Sequence, residues 1–127
     1  MKTWITCTLA LLPFLSMTAT EAPNALKVKG QQLFTTPLEW VGVDAPPEAE
    51  SSRLLDAISV FETSGTKGGY QALEGFLKAN PHSAWSPALR AHLAETYRNN
   101  GRYSLALSHW NAAWESTKAG NDATSKK

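Results

Sequence analysis

Three histidines, His82, His92 and His109, are the residues of this chain best equipped for chemistry. Imidazole changes charge near neutral pH and can act as a base or a metal ligand, but either role needs neighbours. A zinc or haem site draws three or four converging ligands, and the single cysteine, Cys7, lies inside an apolar run near the N-terminus. His82 follows Pro81 in a connector and reads as an exposed loop residue. His92 has Glu95 three residues on, an ordinary surface pairing for a helix, and His109 has neither carboxylate nor histidine at i+3 or i+4. No serine sits in a G-x-S-x-G elbow. Thr66-Lys67-Gly68-Gly69 is glycine-rich but lacks the G-x4-G-K-S/T spacing of a phosphate loop. The chain is therefore expected to be no enzyme, with no catalytic residues, no cofactor and no metal site.

Charge narrows the partners in the same direction. Lys and Arg number 12 against 11 for Asp and Glu, a net charge of +1, with no basic stripe along the chain. Such a surface does not attract nucleic acid or an anionic membrane, and Lys126-Lys127 is too short a run to change that. Of five tryptophans all but Trp4 fall beyond the N-terminal apolar run, and only 18% of residues are charged. That balance suits helix packing and protein contacts.

The elements follow from periodicity. Leu93, Ala94 and Tyr97 share one helical face. Asn99-Asn100-Gly101 is a strong stop, because Asn and Gly tolerate the left-handed conformation just past a helix end. Tyr103, Ala106, Trp110, Ala113 and Trp114 then resume the pattern at steps of three and four. Ala94 and Ala106 are small where two antiparallel backbones must approach, and Tyr97, Tyr103 and Trp110 are expected to fill the space beside them. This stretch, 87–120, resembles the tetratricopeptide repeat, a unit of 34 residues with signature W-x2-L-G-x2-Y, a Gly turn and A-x3-F. The likeness rests on Leu93, Tyr97, Gly101, Tyr103, Ala106 and Ala113. It departs at Arg90, Ala94, Trp110 and Lys118, which stand where the family has Trp, Gly, Phe and Pro.

A second, degenerate repeat is expected over 48–81. Pro47, Glu48 and Glu50 suit a helix start, and Leu54, Leu55, Ile58 and Phe61 form a stripe. Ser64-Gly65 and Gly68-Gly69 are expected to end that helix and open a flexible turn. A further helix follows from Tyr70 to Ala79, closed by Asn80-Pro81. Ala72, Phe76 and Ala79 lie 34 residues before Ala106, Trp110 and Ala113. Trp85 is expected to plug the joint between the hairpins, and Pro87 to start the next helix. Upstream, 23–46 reads as a poorly structured leader whose middle docks through Leu38, Trp40 and Val41. Residues 1–22, with Lys2, the apolar run Trp4–Leu15 and small residues after it, read as a signal peptide. Residues 121–127 read as a polar tail.

The fold class expected is all-α: antiparallel helical hairpins stacked as a short tetratricopeptide-like α-solenoid (47–120), behind a signal peptide and a leader. The resemblance implies that the first helix of the clear repeat lines a groove, through Ala91, Glu95, Arg98 and Asn99. It also implies an uncovered edge at Leu107 and Trp114 on the last helix, since a stack needs a polar cap. The function expected is a non-catalytic protein-protein interaction or scaffold module of an exported protein, the N-terminal part of a larger repeat protein. It is secreted or held in the cell envelope, binds a protein or peptide partner or itself, and has no stable membrane insertion after signal cleavage. The alternative is a targeting or scaffold region of an exported multidomain enzyme or toxin whose catalytic part lies elsewhere.

Overall fold

The computed structural model describes residues 21–118, with the backbone alone at 65–67. The expected signal peptide lies outside these residues except for Glu21 and Ala22, and the polar tail lies wholly outside them. Among the described residues every regular element is an α-helix: α1 (Glu21–Leu33), α2 (Glu48–Ala79), α3 (Ser86–Asn99) and α4 (Tyr103–Thr117). The all-α expectation holds.

Helix α2 corrects the sequence reading in an informative way. The glycines at 65, 68 and 69, where a flexible turn was expected, lie within α2 in helical conformation. Even so, α2 is not straight. From Glu50 to Ala79 a straight helix would cover roughly 43 Å, whereas the four residues onward to Ser83 reach about 14 Å at most. Ser83 Oγ nevertheless donates to Glu50 Oε1, and Trp85 Nε1 donates to Ser51 Oγ at 3.1 Å. The helix must double back. The reversal lies between Phe61 and Gly69, because a Cβ added at Gly69 would stand 2.6 Å from Phe61 Cα. Eight residues of straight helix would hold such positions roughly 12 Å apart. Rings of Phe61 and Tyr70 are likewise only 5.6 Å apart. The glycines thus mark the expected change of direction and allow a close approach of two helical arms, although the residues at the reversal are themselves helical in conformation.

The leader is more ordered than expected. Residues 21–33 form α1, whose Ala22, Leu26 and Gly30 are buried at steps of four. Pro23 is compatible with this helix because it sits in the first turn, where its missing N–H has no partner to lose. Glu48 Oε1 accepts from the Ala22 backbone N–H at 3.2 Å, and Lys29 Nζ pairs with Glu62 at 2.7 Å, so α1 lies along the first arm of α2. Beyond α1 the chain is irregular, as Pro37, Pro46 and Pro47 require. It is held by Leu38, which is fully buried, and by Val41 N–H, which donates to the Ala84 carbonyl at 2.9 Å.

The second hairpin is α3 and α4. Pro87 lies in the first turn of α3. Its end is a Schellman motif: Arg102 N–H donates to Tyr97 O at 2.8 Å and Gly101 N–H to Arg98 O at 3.0 Å, with Gly101 at φ +74°. Ala94 and Ala106 are buried where the two helices meet. One apolar core joins both hairpins and the leader, built on Leu26, Leu38, Leu54, Ile58, Leu73, Leu77, Trp85, Leu89 and Leu93.

Two glycines of the second arm of α2 test this geometry. Gly69→Ala should destabilise by about 1–3 kcal/mol, since its methyl group meets the Phe61 backbone. Gly75→Ala, with nothing within 4 Å of the new Cβ, should stabilise by about 0.5–1 kcal/mol through helix propensity. Urea denaturation of the two variants against the parent checks both signs.

Candidate functional site

Among the described residues one polar constellation crosses three helices. Glu74, on the second arm of α2, offers one oxygen, Oε1, to two donors: Tyr97 Oη of α3 at 2.9 Å and His109 Nε2 of α4 at 2.7 Å. The imidazole lies parallel to the Tyr97 ring at 5.5 Å. Burial, followed by the hydrogen bond to Glu74, pushes the Tyr97 phenol up to about 12, so it remains a donor. With Oε1 accepting from His109, Nε2 carries a proton, while Nδ1 is sealed from solvent without a partner. Beside this cluster is a cleft of about 990 Å³, lined among others by Tyr70, Glu74, Lys78, Arg90 and Arg102.

Sequence reasoning missed this bridge, because the contact lies between elements and leaves no local spacing. Only the position of His109, three residues after the buried Ala106, signals an inward direction. His92 also departs from expectation. It does not form a surface pair but is buried, stacked on Phe34 at 4.3 Å with 14° between the planes, its Nδ1 3.5 Å from Thr36 Oγ1. Burial pushes its pKa below the usual 6.5, outweighing the opposing effects of Glu95 and of a hydrogen bond to the Pro37 backbone. His82 is exposed, and among the described residues no three metal-ligating side chains converge.

The expected groove residues lie on one side of α3. Ala91, Arg98 and Asn99 are exposed and Glu95 is half-buried. Arg98 stands over the Trp110 ring, 5.9 Å from its centroid, and its Nη2 donates to Asn99 Oδ1 at 3.4 Å. Neighbouring α4 carries four exposed large apolar side chains in register. Tyr103, Leu107, Trp110 and Trp114 recur at i, i+4, i+7 and i+11, which places them in one stripe. They are 65%, 57%, 36% and 65% exposed. Tyr103 and Trp110 therefore do not fill the hairpin interior as expected. The buried face of α4 is centred on Ala106, His109 and the half-buried Ala113, roughly a quarter turn around the helix from the stripe. With alanines at the crossing, the backbones come too close for aromatic rings to enter between them.

Among the described residues no helix is long and apolar enough to cross a membrane. The arrangement is thus a set of helices pinned by a half-buried polar bridge, with an apolar stripe facing outward.

Two measurements test these assignments. Glu74→Ala should cost about 2 kcal/mol by leaving two buried donors unpaired, with a smaller loss for Tyr97→Phe, both read from urea midpoints. For His92 the folded pKa is below the unfolded one, so the unfolded chain binds the proton first as pH falls. The stability it contributes is complete above pH 6.5 and is lost on acidification until the folded imidazole also protonates. His92→Phe, which keeps the stack on Phe34, should flatten this part of a urea-midpoint profile against pH.

No protein-family model, curated protein or solved structure matches this chain.

Proposed function

We propose that this chain is a non-catalytic protein-protein interaction module of an exported protein, built as a short stack of tetratricopeptide-like hairpins. The observation that carries the reading is the exposed stripe Tyr103, Leu107, Trp110 and Trp114 along α4. Large aromatic residues bury much apolar area per side chain and are enriched where proteins meet. A row of them kept in water is costly unless a partner covers it. The exposed Arg98 beside Trp110 adds a cation at the rim, and Ala91 leaves room on the adjacent face of α3.

The polar bridge supports the non-catalytic side of the proposal. Glu74 and His109 form a carboxylate-imidazole pair, but Nδ1 of His109 is closed to solvent and Nε2 is engaged by Glu74. Neither nitrogen can reach a substrate proton, which a general base must do. The bridge acts as a fastening between the hairpins. Export rests on the order of residues in Met1–Ala22: a positive start, a short apolar run, then small residues. The stacking reading rests on the 34-residue correspondence between Ala72, Phe76, Ala79 and Ala106, Trp110, Ala113.

The test is a surface substitution. Leu107→Glu/Trp114→Glu should leave helix content and the unfolding midpoint unchanged within about 0.5 kcal/mol, since both side chains are exposed. The same variant should no longer retain the proteins that the immobilised parent chain retains. A parent chain that retains nothing, further copies of itself included, would overturn the proposal.

A further inference from the structure

The stripe on α4 has a property that points to one occupant. Its spacing, four then three then four residues, reads the same in both directions along the helix. That is also the alternation of a coiled-coil seam, in which apolar residues every 3.5 positions on average face a partner helix. We infer that a second copy of this chain docks on the stripe, with the two α4 helices antiparallel about a two-fold axis. The inference rests on the proposed reading of the stripe as an interaction surface.

The two-fold axis passes between Leu107 and Trp110. It sets Tyr103 of one copy against Trp114 of the other at both ends, and Leu107 against Trp110 in the two middle layers. Each layer then pairs a larger side chain with a smaller one, and the interface is isologous, the commonest closed arrangement. A parallel pairing would oppose Trp110 with Trp110 and Trp114 with Trp114 while leaving the Leu107 layer thin.

Electrostatics favour the antiparallel choice. Arg102 sits at the N-cap of α4 with no acidic residue in the first turn, so a cation stands at the positive end of its own helix dipole. An antiparallel neighbour brings the C-terminal carbonyls of the other α4 to that end, together with the exposed Glu115, whose carboxylate Arg102 would share with Lys118. A net charge of +1 opposes association of two copies very little.

Area sets the expected strength. The exposed portions of the four side chains offer on the order of 450 Å² per copy, so pairing buries roughly 900 Å² in total, near the lower limit of specific interfaces. The dimer is therefore reversible, and monomer and dimer exchange with concentration.

Sedimentation velocity of the purified chain from about 1 µM to about 1 mM tests this, a range suited to weak interfaces. The expected result is a monomer–dimer equilibrium weakened at least tenfold by Leu107→Glu and by Trp114→Glu. Val28→Glu, at an exposed apolar position on α1, which makes no contact with α4, should leave it unchanged. In a Cys7→Ser background, Tyr103→Cys and Trp114→Cys chains should cross-link to each other when mixed and not to themselves. Self-linked Trp114→Cys dimers would overturn the antiparallel pairing, and dimers that survive Leu107→Glu would overturn the inference. A chain that stays monomeric while acrylamide quenches Trp114 freely rejects the second copy and leaves the exposed surface standing for another protein. A monomer in which Trp114 is shielded from acrylamide rejects both the inference and the surface reading beneath it.

Discussion

The fold depends on one buried indole. Trp85 lies in the short connector between α2 and α3, fully enclosed, and its Nε1–H is satisfied by Ser51 near the start of α2. Trp40 from the segment after α1 packs edge-on against it, 5.4 Å between centroids, and the adjacent Ala84 carbonyl accepts from Val41 N–H. A buried indole with no acceptor would be costly. Ser51 and the connector must therefore meet, and they can meet only if α2 reverses direction. The close approach of Gly69 to Phe61 makes that reversal possible, while the closure at Trp85 gives it an energetic reason.

A second aromatic row crosses the molecule. Phe34 packs on Phe61, Phe61 on Tyr70, Tyr70 on Tyr97 and Tyr97 on His109, with successive centroids 6.2, 5.6, 5.8 and 5.5 Å apart. The row begins in the segment just after α1 and ends on α4, so α2, α3 and α4 all contribute to it. Glu74 satisfies the polar ends of its last two members, which lets a phenol and an imidazole serve as core residues. Once these inward positions are taken, the remaining large side chains of α4 have no interior left to enter.

Much of the helical framework was legible in the sequence because it is written in local spacing. The α3–α4 hairpin follows from Leu93, Ala94, Tyr97, the Asn100-Gly101 stop and Ala106, and Trp85 as a plug follows from its place between two periodic stretches. What spacing cannot carry is the set of contacts between distant elements. His92 and His109 look alike in a linear reading, as isolated histidines on helices, yet both are buried by partners far along the chain, Phe34 and Glu74. Helix α1 was missed because its buried stripe is made of Ala22, Leu26 and Gly30, of which only one is strongly apolar. At 64–69 the glycines correctly marked a change of direction, but because glycine weakens a helix without forbidding it, the residues at the reversal keep helical conformation where a flexible turn was expected. The candidate surface was half legible: Leu107 and Trp114 stood out, while Tyr103 and Trp110 were assigned to the interior because aromatic residues beside alanines suggest filling.

The alanine crossing has a mechanical consequence. Backbones of α3 and α4 run much closer together than those of α2 and α3, which are separated by Leu73, Leu77, Leu89 and Leu93. Inside the second hairpin there is no slack, and one extra methylene at position 94 or 106 would wedge the pair apart. Between hairpins the contact is made by long, branched side chains that can exchange rotamers and slide by small amounts, the kind of interface that permits shear. The second hairpin is then a stiff blade on a more compliant seat: its own shape is set, while its tilt against the rest of the molecule is limited chiefly by the Glu74 tie to Tyr97 and His109.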